Sequence, residues 1–217
     1  MAFKSLKNSS VITGSKSSKL WDQTTTLNDF QSIATVVVPA AGSATIDFTN
    51  IPQYYTHLQL RCVLQDNRGT YGLDQLRVQV GSGGTLDTGS TSYAWHYLRG
   101  DGAAATAAGY ATSGGDNASW QINGAVGTTV FGSFGGIIID ILDYANTSKN
   151  KTMKALSGND LNGSGPASVP GRVALGSCVW LGSNALQAIN TIRLFPENAT
   201  LFTQFSQVAL YGIKVAS

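Results

Sequence analysis

Residues 128–146 read TTVFGSFGGIIIDILDYAN and form the most densely apolar stretch of the chain. Two sets of side chains alternate along it, the first made of Ile137, Ile139 and Ile141 and the second of Ile138, Asp140 and Leu142. Successive β-branched residues suit a pleated surface better than a helix. The stretch therefore predicts a central strand over 131–142, buried on one face and mostly buried on the other.

Similar alternation recurs along the chain between turn signals. In one segment, an inward set is expected at Leu58, Leu60, Cys62 and Leu64, and in another at Leu76, Val78 and Val80. Two stretches rich in small residues, 100–115 and 159–170, are predicted to be long surface loops. The pattern predicts an all-β fold: an antiparallel β-sandwich or jelly roll of about ten strands, spanning residues 28–217.

The composition narrows the classes of function. Hydrophobic residues make up 42% of the 217 residues, which is enough for a core, but charged residues only 12%. A polar, weakly charged surface is typical of extracellular β proteins and of protein shells. The formal net charge of +2 is too small to indicate nucleic acid as a partner.

The cysteines and the amino-terminal residues bear on the cellular compartment. Cys62 and Cys178 lie far apart in predicted strands, so two separate buried thiols are expected, with a disulfide as the alternative. The first twenty residues lack the apolar run and cleavage site of a signal peptide, and no stretch reaches transmembrane length. We expect synthesis in a cytosol, no general secretory export and no membrane insertion.

Residues 1–27 differ from the rest of the chain, because lysines and isolated apolar side chains are spaced among Ser, Thr and Asn. The residues concerned are Phe3, Lys4, Leu6, Lys7, Val11, Ile12, Lys16, Lys19, Leu20 and Trp21. Such a segment cannot form a core alone, and a plain linker would not carry Phe, Ile and Trp. We predict an anchoring arm that orders against a partner or sister subunit. A disordered tail is the alternative.

Catalytic constellations are weak. His57 and His96 have no nucleophile elbow beside them, and Asp140 and Asp143, three residues apart, should point to opposite faces. Residues 159–163, NDLNG, resemble part of a calcium loop but lack its bidentate acid. We expect no enzyme, no metal and no cofactor, and glycan hydrolysis remains a minor alternative.

A sugar site is a further hypothesis, because the aromatic segment 93–97, YAWHY, precedes the Gly-rich stretch. Aromatic faces stack on sugars, and loops of small polar residues offer adaptable hydrogen bonds. Candidate glycan contacts are Trp95, His96, Tyr97, Asp101, Asp116 and Trp120. Core packing is the competing interpretation for at least half of the residues in 93–97.

Four segments resemble virion structural proteins of tailed bacteriophages. They are 51–61 (IPQYYTHLQLR), 93–102 (YAWHYLRGDG), 134–165 (FGGIIIDILDYANTSKNKTMKALSGNDLNGSG) and 188–214, which ends in LYGIK. The resemblance covers most of residues 30–214. The proteins that the chain resembles are tail-fibre or appendage domains and minor structural proteins. It implies a virion component and offers no catalytic residues to carry over.

The sequence-based expectation is therefore a tail-fibre or appendage subunit. It would be assembled in the host cytoplasm, dock on other virion proteins through its arm, and present loops to a host-surface glycan. A homo-oligomer, with three copies as the working number, is expected. The alternative is a capsid decoration, cement or head-knob protein on the phage head.

Overall fold

The computed structural model describes residues 19–20, 25–26, 30–69, 71–110, 118–129, 132–160 and 171–214, with side chains from residue 30 onward except at 124 and 125. Every regular element in these ranges is a β-strand, which confirms the all-β prediction. No helix within them has the length and apolar character needed to cross a bilayer.

Fifteen strands follow one another along the described ranges. Their bounds are β1 Lys19–Leu20, β2 Thr25–Thr26, β3 Phe30–Val37, β4 Ile46–Phe48, β5 His57–Asp66, β6 Leu73–Ser82, β7 Thr85–Leu86, β8 Tyr93–Gly100, β9 Ala105–Tyr110, β10 Trp120–Thr128, β11 Gly135–Leu142, β12 Lys151–Asn159, β13 Arg172–Trp180, β14 Thr191–Pro196 and β15 Gln207–Ile213.

Thirteen of these strands pair in two runs. The long run has the order β3-β15-β5-β11-β12-β13-β8-β9, and the short run has the order β4-β14-β6-β10, with β7 beside β6. Pairing is antiparallel within both runs. The runs join where the end of β5 pairs in parallel with β10, Gln65 opposite Gly127 and Asp66 opposite Thr128. The pairing is thus mixed rather than wholly antiparallel, and β1 and β2 pair only with each other.

Strand β11 lies inside the long run between β5 and β12, as predicted for a central strand. Its first set of side chains is buried, with Ile139 and Ile141 fully inaccessible. The expectation that the second face is mostly buried is wrong. Ile138 is 40% exposed, and Asp140 and Leu142 are half-buried, because these side chains point away from the core.

One core cluster receives the inward side chains of both runs. Strand β10 packs against β11, β12, β13 and β8 without pairing with any of them. Leu58, Leu60, Cys62 and Leu64 all point into this core, as the alternation predicts. Both cysteines are buried and free, so two separate thiols are confirmed. The jelly-roll arrangement stays a prediction.

Two sequence-based expectations need correction. Strand β6 is buried on both faces, whereas the alternation predicts burial of one face only. Arg77, on the face expected to be exposed, is only 5% exposed. Strands β10 and β14 flank β6, and the Arg77 guanidinium pairs with the Glu197 carboxylate. Part of the predicted loop 100–115 is strand β9, which pairs with β8 along 105–110. Its small residues carry little hydrophobic alternation, so the pattern favoured a loop. Most of the second predicted loop, 161–170, lies outside the described residues.

Candidate interaction face

The long run has one face turned away from the core, which we call the outer face. Antiparallel sheets commonly pack one face on the core and leave the other solvated and polar. Here the outer face instead carries a group of large exposed apolar side chains. Their exposed fractions are Val63 42%, Ile138 40%, Leu156 52%, Val173 57%, Leu175 55% and Leu98 55%.

Four of these side chains form a continuous row across four strands, which we call the apolar row. Ile138 of β11 lies opposite Leu156 of β12, Leu156 lies opposite Leu175 of β13, and Leu175 lies opposite Leu98 of β8. Directly opposite residues in a sheet have Cβ atoms about 5 Å apart. The row is therefore one contiguous apolar ridge rather than four scattered side chains, and contiguous exposed patches mark interaction sites.

A second row, made of three glycines and Val173, runs beside the ridge, two residues along each strand, and we call it the glycine row. Gly136 lies opposite Gly158, Val173 follows on β13, and Gly100 follows on β8. A groove of about 880 Å³ lies over the β15–β13 part of this region, with Gly136 and Gly158 in its lining. The outer face thus combines a ridge with an adjacent trough.

On the other side of the ridge runs a row of polar residues. Successive members lie opposite one another on β5, β11, β12, β13 and β8: Gln59, Asp140, Lys154, Ser177 and His96. Gln59 Nε2 donates to Asp140 Oδ1 at 2.8 Å. Charges of both signs therefore lie close to the ridge, on adjacent strands.

Among the described residues there is no group of three or more His, Cys, Asp or Glu side chains able to hold a metal ion. His57 Nδ1 accepts the Asp143 N–H at 2.9 Å, so this histidine is occupied in positioning the turn after β11. His96 is exposed on the outer face, in the polar row.

A buried carboxyl pair lies where β5 crosses to β10. Asp66 is 0% exposed; its Oδ1 accepts the Arg68 N–H at 3.0 Å, while its Oδ2 faces no hydrogen-bond donor. Asp74, also 0% exposed, accepts from Arg68 Nη1 at 3.0 Å and from Asn198 Nδ2 at 2.6 Å. Burial raises the pKa of Asp66 to about 7, and the neighbouring Asp74 carboxylate adds to the rise. With no exposed surface for a substrate to reach, the pair is structural.

The five predicted sugar contacts that the structure describes do not converge on one site. Trp95 and Trp120 are core side chains, 2% and 0% exposed, so the structure contradicts their assignment to a glycan surface. Tyr97 is half-buried under the Arg99 guanidinium, which lies 5.6 Å from its ring centroid.

His96 and Asp101 line two different grooves. Asp101 Oδ1 accepts the N–H groups of Ala103 and Ala104 at 3.1 and 2.9 Å. These hydrogen bonds lower the pKa of Asp101 and commit its carboxylate to the turn between β8 and β9. His96 lies at a groove of about 390 Å³, whereas Asp116 lies outside the described residues.

Sequence reasoning missed Tyr110 in that groove. The residue ends β9, is 43% exposed, and stacks on Trp95 with ring centroids 4.3 Å apart. A single aromatic in a Gly/Ala-rich stretch is the signal that could have drawn attention to it. Of the predicted anchoring residues, only Lys19 and Leu20 are described, by their backbones, as strand β1; the others lie outside the described ranges.

Comparison of the chain with protein-family models and with curated proteins returned no match in either case.

Proposed function

We propose that this chain is a structural protein of a tailed-bacteriophage virion, a tail-fibre or appendage subunit that works by association rather than by catalysis. The observation that carries the proposal is the apolar row on the outer face. A sheet that exposes three leucines by more than half in one contiguous row is suited to being covered by another protein surface. The weakly charged composition and the resemblance of four segments to virion proteins support the same interpretation.

We further propose that the two runs of strands are the two sheets of a β-sandwich. The shared core cluster and the packing of β10 against β11, β12, β13 and β8 support this arrangement. Residues 1–27 serve as the docking arm in this proposal. The number of copies in the homo-oligomer is treated in the next subsection.

For adsorption to a host-surface glycan, we propose the exposed Tyr110 side chain at the end of β9 in place of the buried tryptophans. The Tyr110 ring is 43% exposed and stacks on Trp95, so it offers an aromatic face to a sugar. Tyr110→Ala should weaken binding to purified host envelope glycan, whereas Tyr71→Ala, which removes another exposed tyrosine 51% accessible, should not.

The experiment that tests virion membership combines purified particles with a deletion. Peptides of the chain should be found in density-purified particles, and a labelled antibody should mark the tail. Regular labelling over the head would replace the tail assignment with the decoration or cement role. Absence of the chain from purified particles would overturn the proposal. Deleting residues 1–20 should leave a folded protein that no longer joins particles, and normal incorporation would refute the docking role of the arm.

A further inference from the structure

We propose that the outer face is where two copies of this chain meet, related by a two-fold axis that runs between the apolar row and the glycine row. The inference rests on the homo-oligomer in the proposed function, but it does not require the oligomer to be part of a virion.

Shape is the first argument. The axis lies between the two rows and runs parallel to them, across the strands. Rotation by 180° about it places the apolar row of one copy over the glycine row of the other copy. On β12 the axis passes at residue 157, so Leu156 of each copy covers Gly158 of the other. On β11 and β8 the same rotation puts Ile138 over Gly136 and Leu98 over Gly100. A residue without a Cβ therefore lies opposite three of the four ridge side chains.

Charge is the second argument. Lys154 and Asp160 are both exposed and lie three residues on either side of residue 157, so the rotation places Lys154 of each copy over position 160 of the other. Interfaces that repeat one patch on both subunits must be self-complementary in this way. A partner carrying one sign of charge, such as nucleic acid or an anionic bilayer, would meet Asp140 and Asp160 together with Lys154.

Size is the third argument. Eight strands at about 4.8 Å spacing and roughly 25 Å of strand length give the outer face an area on the order of 800 Å². A specific, stable interface buries about 800 Å² on each partner. The outer face is therefore large enough for a dimer, and face-to-face packing of two sheets is a common arrangement of β-sheets.

The first test is the molar mass of the full chain by light scattering over a concentration series. We expect the wild type to be a dimer and Leu156→Asp/Leu175→Asp to be a folded monomer, with at least a 100-fold weaker dimer. The matched control is Leu186→Asp, because Leu186 is 54% exposed in the loop between β13 and β14, off the outer face. Circular dichroism checks that each variant keeps its β-sheet content.

Two further variants separate this interface from non-specific apolar association. A Cβ added at Gly158 meets only the Arg172 carbonyl oxygen, at the ordinary contact distance of 3.8 Å, so the backbone has room for a Cβ there, and Gly158→Val would fill the trough. It should weaken the dimer although it adds apolar surface. Lys154→Asp should weaken the dimer by placing two carboxylates together, and Lys154→Asp/Asp160→Lys should restore it.

Several outcomes would overturn the inference. They are a monomeric or trimeric wild type, a dimer unaffected by Leu156→Asp/Leu175→Asp, a dimer unchanged or strengthened by Gly158→Val, and a charge reversal without rescue. A monomer that binds a hydrophobic dye only after removal of residues 1–27 would assign the outer face to the chain's own arm and would likewise overturn it. Presence or absence of the chain in purified particles does not affect any of these results.

Discussion

Replacing Asp66 with asparagine should stabilise the protein, and the gain should grow with pH. Burial raises the pKa of Asp66 from its ordinary 3.8 to about 7 in the folded protein. Between these values the folded state holds a proton that the unfolded state has lost, so rising pH lowers the free energy of unfolding. The penalty is complete above pH 7 and absent below pH 4.

The magnitude follows from the pKa rise of 7 − 3.8 = 3.2. At 1.36 kcal/mol per pH unit, the penalty removed by Asp66→Asn is about 4 kcal/mol at pH 8 and about 2 kcal/mol at pH 5. The asparagine keeps the oxygen that accepts the Arg68 N–H, and its amide group can donate towards Asp74, as the protonated acid would. The electrostatic gain therefore comes without loss of the existing hydrogen bond.

The assay is urea unfolding of wild type and Asp66→Asn at both pH values. The control Asp47→Asn removes a surface carboxylate that accepts from Arg193 at 2.7 and 2.9 Å, and should change stability by less than about 1 kcal/mol at both. If Asp66→Asn destabilised the protein at pH 8, or if its gain were equal at both pH values, the buried acid would not carry the pKa assigned to it.

Three further substitutions test the packing. Ile139→Ala should lower the free energy of unfolding by about 2–5 kcal/mol, because Ile139 is fully buried. Ile138→Ala on the outer face should lower it by less than about 1 kcal/mol. Equal losses in thermal unfolding would refute the assignment of faces. Gly212→Ala would bring a Cβ within 2.3 Å of the Tyr55 ring and should cost about 1–3 kcal/mol or more by urea unfolding, so a neutral result would contradict that close approach. Asp74→Ala removes the acceptor of Arg68 Nη1 and of three backbone N–H groups and should cost about 3–5 kcal/mol. A loss below about 1 kcal/mol would count against a buried ion pair.

Much of the fold was accessible from local patterns. Alternation in 56–64 and in Ile137, Ile139 and Ile141 identifies side chains that are buried in the structure, because strand period and burial coincide when one face packs on a core. Alternation could not locate β9, whose residues are small. Nor could it reveal that β6 has neighbours on both sides and is covered on both faces, since strand order is a non-local property.

The sequence predicts only part of the outer face. Leu156 alternates in step with Thr152 and Lys154, so the pattern places this leucine on the polar, exposed side of its strand. That Leu156 stands in line with Ile138 and Leu175 depends on the register of three strands, which no local signal sets. The sugar-site hypothesis is wrong at Trp95 and Trp120, because both side chains are buried in the core. Large aromatic side chains in strands contribute much of a protein's buried apolar surface.

The most direct test is an electron cryo-microscopy map of the intact particle that incorporates this chain. We predict density for the chain at the tail, with the outer faces of two copies packed together and Leu156 of each copy over Gly158 of the other. A map in which the outer face lies open to solvent would contradict the proposed association, and density for the chain over the head in place of the tail would contradict the tail assignment.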